Sequence, residues 1–307
     1  MIPAPLVTLF GRDTTAHWLS HIAAGGLATA AVVVAGGVVP GEAVATDGRR
    51  SEEPRPVAVV PADGEEVVTG ENARFGAALL IEDGLARLAE VEGYSATLRR
   101  REAVEGSLRP AETVALKVRQ APFGVYMKWL DVSVGRELLY VDGSHDGKML
   151  VRPGGWRGRL LGTLKLDPHG DLAASDGRRP VTEIGLAKLG RRIADALHRD
   201  DAAAEVAIYT LRTAEADGRP VYRLTIESAS PALSGPFRRT DVVIDADLLL
   251  PVRVVNYDWP TDDTTDEQAL AAATLVEDYH YEDVDLAAPV SLAEFDAENP
   301  QYRLSLR

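Results

Sequence analysis

VALKVRQAPFGVYMKWLDVSVGRELLYVDGSHDGKMLV, running from Val114 to Val151, decides the fold. Val114, Leu116 and Val118 alternate with Ala115, Lys117 and Arg119. After a break at Pro122 to Gly124, Val125, Met127 and Trp129 alternate with Tyr126, Lys128 and Leu130. Successive side chains of a strand point to opposite sides, so this period of two predicts three or four consecutive antiparallel strands, each half-buried. Asp131 to Gly135 and Asp142 to Gly147 are the expected loops, the second rich in the Asp and Gly that a hairpin turn needs.

Outward from this meander the pattern repeats. Tyr94 to Arg101 predicts a strand before it, closed by a turn at Glu105 to Ser107. Ahead of that, Phe75, Leu79, Leu80, Leu85 and Leu88 recur at helical spacing between Gly70 and Glu92, with Gly93 as a stop. Residues 152–180 hold six glycines and three prolines and read as a long excursion with one or two short strands. From Val181 a second helix is expected, with Ile184, Leu186, Leu189, Ile193 and Leu197 on one side. Further strands are expected at 206–211, 221–227, 237–245, 251–257 and 274–282, with an acidic loop at Thr261 to Gln268 and a capping turn plus tail from Leu292 to Tyr302. A helix, a run of strands, a crossover helix and a second run of strands predict an α+β fold: a curved, mostly antiparallel sheet, an incomplete barrel, with helices packed on its concave face.

The amino-terminal 69 residues differ. Ile22 to Val39 is a run of eighteen residues without charge, followed by Pro40-Gly41 and by Ala43-Val44-Ala45, small residues at the positions a signal peptidase reads. Residues 1–45 therefore predict a signal peptide, with an uncleaved amino-terminal anchor as the alternative, and export to the periplasm or cell envelope. Residues 46–69, with three prolines and charges of both signs, read as a disordered linker. Residues 70–307 form the single remaining domain.

Composition excludes several functions. The chain has no cysteine, so disulfides, thiolate metal sites and a cysteine nucleophile are ruled out. Its net charge of -14 argues against a nucleic-acid partner. The charge is uneven: residues 94–199 carry 19 basic and 12 acidic side chains, residues 200–307 carry 8 and 22. Asp142-Gly-Ser-His-Asp146-Gly147 opens like a calcium-binding loop, but position twelve, where the bidentate acid belongs, is Pro153. No metal and no cofactor are expected. Asp167-Pro-His169 and Asp176-Gly-Arg178-Arg179 offer charge and an imidazole in the long excursion, but no second histidine stands at ligand spacing and no serine sits in a nucleophile elbow, so loop residues are expected rather than catalysis. His145, His198 and His280 are expected to be exposed, and Arg99-Arg100-Arg101 reads as a solvated edge that blocks strand pairing.

KVRQAPFGVYMKWL (Lys117 to Leu130), GRELLYVDG (Gly135 to Gly143), LDPHGDLA (Leu166 to Ala173), RRPVTEIGLAKL (Arg178 to Leu189), DADLLLPVRV (Asp245 to Val254), EDYHYEDV (Glu277 to Val284) and FDAENPQY (Phe295 to Tyr302) occur in that order. Together they resemble an uncharacterised family of exported bacterial proteins, the domain of unknown function 1571, over nearly all of residues 75–303. The pattern is more loosely similar to the periplasmic lipoprotein carriers of the LolA and LolB type. That similarity implies an incomplete antiparallel barrel closed by helices around an apolar cavity that takes acyl chains.

Leu116, Val118, Val125, Met127 and Trp129 are accordingly the ligand-contact candidates: either a filled core or the wall of an apolar cavity. The first alternative makes the chain an envelope adaptor that binds a protein through its charged faces. The second makes it a monomeric, non-catalytic carrier of a lipid, a lipoprotein acyl chain or another apolar ligand.

Overall fold

Strand after strand pairs with its neighbour in sequence, so that the chain builds one antiparallel sheet. The computed structural model describes residues 60–61, 65–199, 206–232, 236–261 and 266–305, which lie within one compact unit, residues 50–307. The signal-peptide or anchor reading of residues 1–45 lies outside the described residues.

The strands are β1 (Val60–Pro61), β2 (Val67–Thr69), β3 (Gly93–Val104), β4 (Ser107–Leu108), β5 (Glu112–Arg119), β6 (Gly124–Trp129), β7 (Glu137–Val141), β8 (Met149–Arg152), β9 (Leu164–Leu166), β10 (Ile208–Ala216), β11 (Arg219–Glu227), β12 (Arg239–Asp245), β13 (Pro251–Tyr257) and β14 (Leu275–Asp285). Their spatial order is β1-β10-β11-β12-β13-β14-β3-β5-β6-β7-β8-β9, with β2 also on β10 and β4 on β3, and the sheet is not closed into a barrel. The long hop from β9 to β10 divides it into two runs of sequential hairpins. These are welded in the middle where β14 returns to pair with β3, Tyr279 opposite Arg100 and Tyr281 opposite Leu98. β1 and β2 fall in the segment expected to be a linker. Each pairs with the outer edge of β10, and so covers backbone groups that an open edge would leave unpaired.

Helices α1 (Gly70–Ala89) and α4 (Leu186–Leu197) pack on one face of the sheet; α2 (Gly155–Leu161), α3 (Asp171–Ala174) and α5 (Glu267–Thr274) are shorter. Three local expectations are corrected here. The helix expected from Val181 is a single 3-10 turn at Val181–Glu183, and α4 starts after Gly185. There the Gly185 and Leu186 amides donate to the hydroxyls of Tyr281 (3.1 Å) and Tyr94 (2.6 Å), which anchors the helix start to β14 and β3. The glycine-rich excursion contains α2 and α3 besides its strand. Part of the expected acidic loop is α5, whose first turn is capped by the Asp266 carboxylate accepting from the Ala269 amide.

The face of α1 that meets the sheet also differs from the expectation. Phe75 and Leu79 are exposed, and Ala73, Ala77, Ala78, Ile81, Gly84 and Leu88 are buried. Small residues let the helix axis approach the strands closely. At Gly84 a Cβ would lie 2.2 Å from the Leu249 carbonyl oxygen, so only glycine fits against the β12–β13 turn. Gly84→Ala is expected to destabilise the fold by about 1–3 kcal/mol, as overpacking does; an unchanged urea midpoint would contradict this close approach.

The opposite face is covered by the carboxy-terminal segment. Val290, Phe295, Ala297 and Leu304 pack on Tyr126, Leu139, Val141 and Leu150, and Tyr302 stacks on Tyr126 at 3.8 Å. Lys117 and Glu294 form an ion pair beside this cluster. His280 on β14 is not exposed as expected: its side chain keeps 16% of its accessible surface. Burial, and then the nearby Arg253, hold its pKa down to about 4 although Glu282 lies 3.1 Å away. An NMR titration of His280 should find the ring neutral through pH 6; a midpoint at or above 6.5 would contradict that environment.

Candidate functional site

The five residues singled out by alternation all face the helices. Leu116, Val118, Val125, Met127 and Trp129 belong to the main core with Tyr94, Ile81 and Leu186, and none exceeds 3% exposure. Met127 and Trp129 also line a cavity of about 30 Å³, room for about one water molecule, together with Leu138, Met149, Ala173, Ile184 and Arg100. Leu116, Val118 and Val125 form packed wall beneath α1 and α4.

Beyond Leu98 the same face of β3 turns from apolar to ionic. Arg100 and Glu102 continue the inward phase of Tyr94, Ala96 and Leu98, and both are buried. The edge reading of Arg99 to Arg101 is thereby corrected, because β3 is an interior strand between β14 and β5. Arg100 donates to Glu112 at 2.8 Å and lies 3.8 Å from Glu102. Trp129 Nε1 donates to the same Glu112 oxygen at 3.1 Å, and the Tyr279 hydroxyl donates to Glu102. Burial raises the Glu102 carboxyl above its ordinary value despite Arg100. Burial opposes the charge of Arg100, but Glu102 and Glu112 overcome it and raise its pKa.

A strap formed by α3 and the residues up to the 3-10 turn lies over this charged end. Asp176 takes both amino groups of Arg136, Nη1 to Oδ1 at 2.7 Å, and Arg136 stacks over the Trp129 ring at 4.2 Å. Burial pushes the Asp176 carboxyl up, but Arg136 outweighs it and lowers the pKa. Farther along, Arg178 Nε and Arg179 Nη2 reach Glu277 on β14 at 3.3 and 2.8 Å. Glu277 is fully buried and also accepts from Asn256 Nδ2 at 2.7 Å.

Next to the strap the sheet carries a groove of about 420 Å³. Its floor is Met149 and Val151 of β8 with Leu164 and Leu166 of β9. Leu172 and Ala173 of α3 form one wall, and Pro153, Gly154 and Arg157 border it. Met149, Ala173 and Asp176 line both this groove and the small cavity at Trp129. Arg136 and Asp176 thus stand between an apolar groove and the packed core.

The hydrolytic pairing does not assemble. Asp167 accepts the His169 amide at 2.9 Å in a local turn, and both side chains are exposed. Among the described residues no group of three acidic or histidine side chains could hold a metal ion. The Asp142 to Gly147 segment is a turn with left-handed His145 and Asp146. The residues that shape the groove were not identified from sequence, and of the strap only the charges of Asp176, Arg178 and Arg179 were noted, without their partners. Arg100 and Glu102 had a legible signal, since they share the period-two phase of Tyr94; Leu172, and the pairing of Asp176 with Arg136, had none.

The sequence model of a family described as Protein of unknown function (DUF1571) matches residues 91–304. No curated protein matches the chain. Among solved structures, the lipoprotein LppX of Mycobacterium tuberculosis is similar at 13% identity and a TM-score of 0.38, covering 72% of this chain and 98% of that one. A putative outer membrane lipoprotein-sorting protein domain from Vibrio parahaemolyticus is similar at 10% identity and 0.33, covering 73% and 97%. A LolA superfamily protein from Nitrosomonas europaea is similar at 11% and 0.30, covering 70% and 97%. These likenesses are remote and bring no ligand with them.

Proposed function

The chain belongs to the family described as Protein of unknown function (DUF1571), and from that premise, which supplies no reaction, we propose an exported, non-catalytic envelope protein that holds an apolar chain. The ligand class is a lipid or the acyl chain of a lipoprotein. The observation that carries this reading is the groove of about 420 Å³ with a floor of Met149, Val151, Leu164 and Leu166, a volume within the range of about 300–1,000 Å³ typical of small-molecule sites. In this reading Met127 and Trp129 form the deep end behind the Arg136–Asp176 pair, and Leu116, Val118 and Val125 stiffen the wall. The polar head of the ligand meets Arg157 at the border. The apolar run at Ile22 to Val39 supports export.

Organic extraction of protein purified without detergent, followed by mass spectrometry, should recover a lipid in near-stoichiometric amount. Repeated absence of lipid together with no uptake of a fluorescent fatty acid would overturn the proposal. A second reading, an envelope adaptor with a filled core, is favoured by one observation: all five core-facing candidates are sealed. It requires that crosslinking in cells capture one consistent protein while the extract stays empty.

A further inference from the structure

We infer that the α2 end of the sheet is a membrane-docking surface that sits on an anionic bilayer. Trp156, Leu160 and Leu161 of α2 are 63%, 73% and 53% exposed, and Leu172 of α3, across the groove, is 67% exposed. Three of these lie on the one short helix α2, and Leu172 lines the groove that Arg157 of the same helix borders, which is more than the scattered exposure of an ordinary surface. Their charge context selects the partner. Between Gly147 and Leu166 the sequence holds five basic residues and no acidic one, in a chain whose net charge is -14; of the five, Lys165 pairs with Asp146 at 3.8 Å. Arg157 and Arg159 on α2 are exposed; Arg157 lies against the Trp156 ring at 5.9 Å, and neither arginine has an ion-pair partner among the described residues. Asp167 precedes α3 and Asp171 opens it, outside this basic stretch.

A short helix with tryptophan and leucine beside unpaired arginines matches an element that lies in the headgroup layer. At seven residues α2 is far too short to cross a bilayer. The element is also held firmly. A Cβ on Gly154, its amino-terminal neighbour, would lie 2.4 Å from the Ser133 carbonyl oxygen, so the chain enters α2 pressed against the β6–β7 loop. Electrostatics then favours the orientation that presents this patch. An acidic protein is repelled by anionic lipid everywhere except at a basic patch, and charges farther than about 8 Å from the contact are screened at physiological salt. Docking in this orientation places the border of the groove, at Pro153, Gly154 and Arg157, on the bilayer. The inference concerns the surface and holds whether or not the groove carries a lipid.

The test uses the full chain and vesicles of phosphatidylcholine with roughly one-third phosphatidylglycerol, so that the amino-terminal segment is the same in every sample. Leu160→Glu/Leu161→Glu and, separately, Arg157→Glu/Arg159→Glu should each bind these vesicles about tenfold more weakly than the unaltered chain or worse, at unchanged far-ultraviolet circular dichroism. The fluorescence difference between the unaltered chain and Trp156→Phe isolates Trp156, and brominated lipid should quench it. Equal vesicle binding by the variants, or no quenching of Trp156, overturns the inference. So does a concentration-dependent dimer that Leu160→Glu/Leu161→Glu abolishes while vesicle binding is unchanged, since the patch then belongs to a second copy. Ala173→Trp, which fills the groove, should leave vesicle binding intact, so a failure of ligand binding and a failure of docking give different results.

Discussion

Glu277→Ala is expected to cost about 3 kcal/mol of stability and to lower the melting temperature by roughly 10 °C. Glu277 is completely buried and accepts from Arg178, Arg179 and Asn256. Its removal strands the buried Asn256 amide and leaves two arginines of the strap without an acid. Arg178 and Arg179 keep part of their exposure and regain water when freed, which places the cost at the low end for a broken buried pair. Burial raises the Glu277 carboxyl, but the charge and hydrogen bond of Arg179 and the hydrogen bond of Asn256 outweigh it and hold the pKa below the ordinary value. The stability from Glu277 is therefore complete above the usual carboxylate range and is lost as pH falls through the lowered folded pKa. Asp176, also lowered, contributes with the same sign. Glu102, raised by burial, has the opposite sign: its ionised form costs stability above its raised pKa, and protonation relieves that cost as pH falls. Urea melts across the acid range should show Glu277→Ala losing less stability on acidification than the unaltered protein. A parallel acid limb would show that Glu277 is not the group that titrates.

Ala173→Trp is expected to weaken fatty-acid uptake roughly a hundredfold. Ala173 lines both the groove and the small cavity at Trp129, so an indole there occupies the junction. If it displaces on the order of four methylenes, at about 0.8 kcal/mol each, the loss is about 3 kcal/mol. Ala173 lies on the short α3 at partial exposure, where a larger side chain has room to stand without breaking the core. Fluorescent fatty-acid titration reads the affinity, and the melting temperature confirms that the fold persists. Unchanged uptake by a folded Ala173→Trp protein would remove the groove from the binding site.

What the sequence disclosed followed from periodicity. The alternation at Val114 to Trp129 placed Leu116, Val125 and Trp129 on the inner face, where the structure has them. The hairpins after residue 206 and the strand at Pro251–Tyr257 were legible for the same reason. Periodicity misled where backbone proximity overrode side-chain size. Phe75 and Leu79 have the strongest apolar pattern on α1, yet the helix turns its alanines and Gly84 inward because only those permit its approach to the Leu249 carbonyl. Arg99 to Arg101 looked like an edge because three charges in a row suggest solvent. Of the three, alternation sends only Arg100 inward, where Glu102, two residues on along β3, and Glu112, opposite it on β5, receive it. The groove was invisible for a related reason. Its floor on β8 and β9 and its wall on α3 meet across an excursion whose glycines and prolines carry no period.

The seat of an apolar chain is tested most directly by a crystal structure of the protein with a bromine-labelled fatty acid, read from the anomalous signal of the bromine. Bromine between β8, β9 and α3, within contact of Met149, Leu166 and Leu172, is the expected result. Bromine absent from that groove at full occupancy of the acid elsewhere, or no bound acid at saturating concentration, would contradict it.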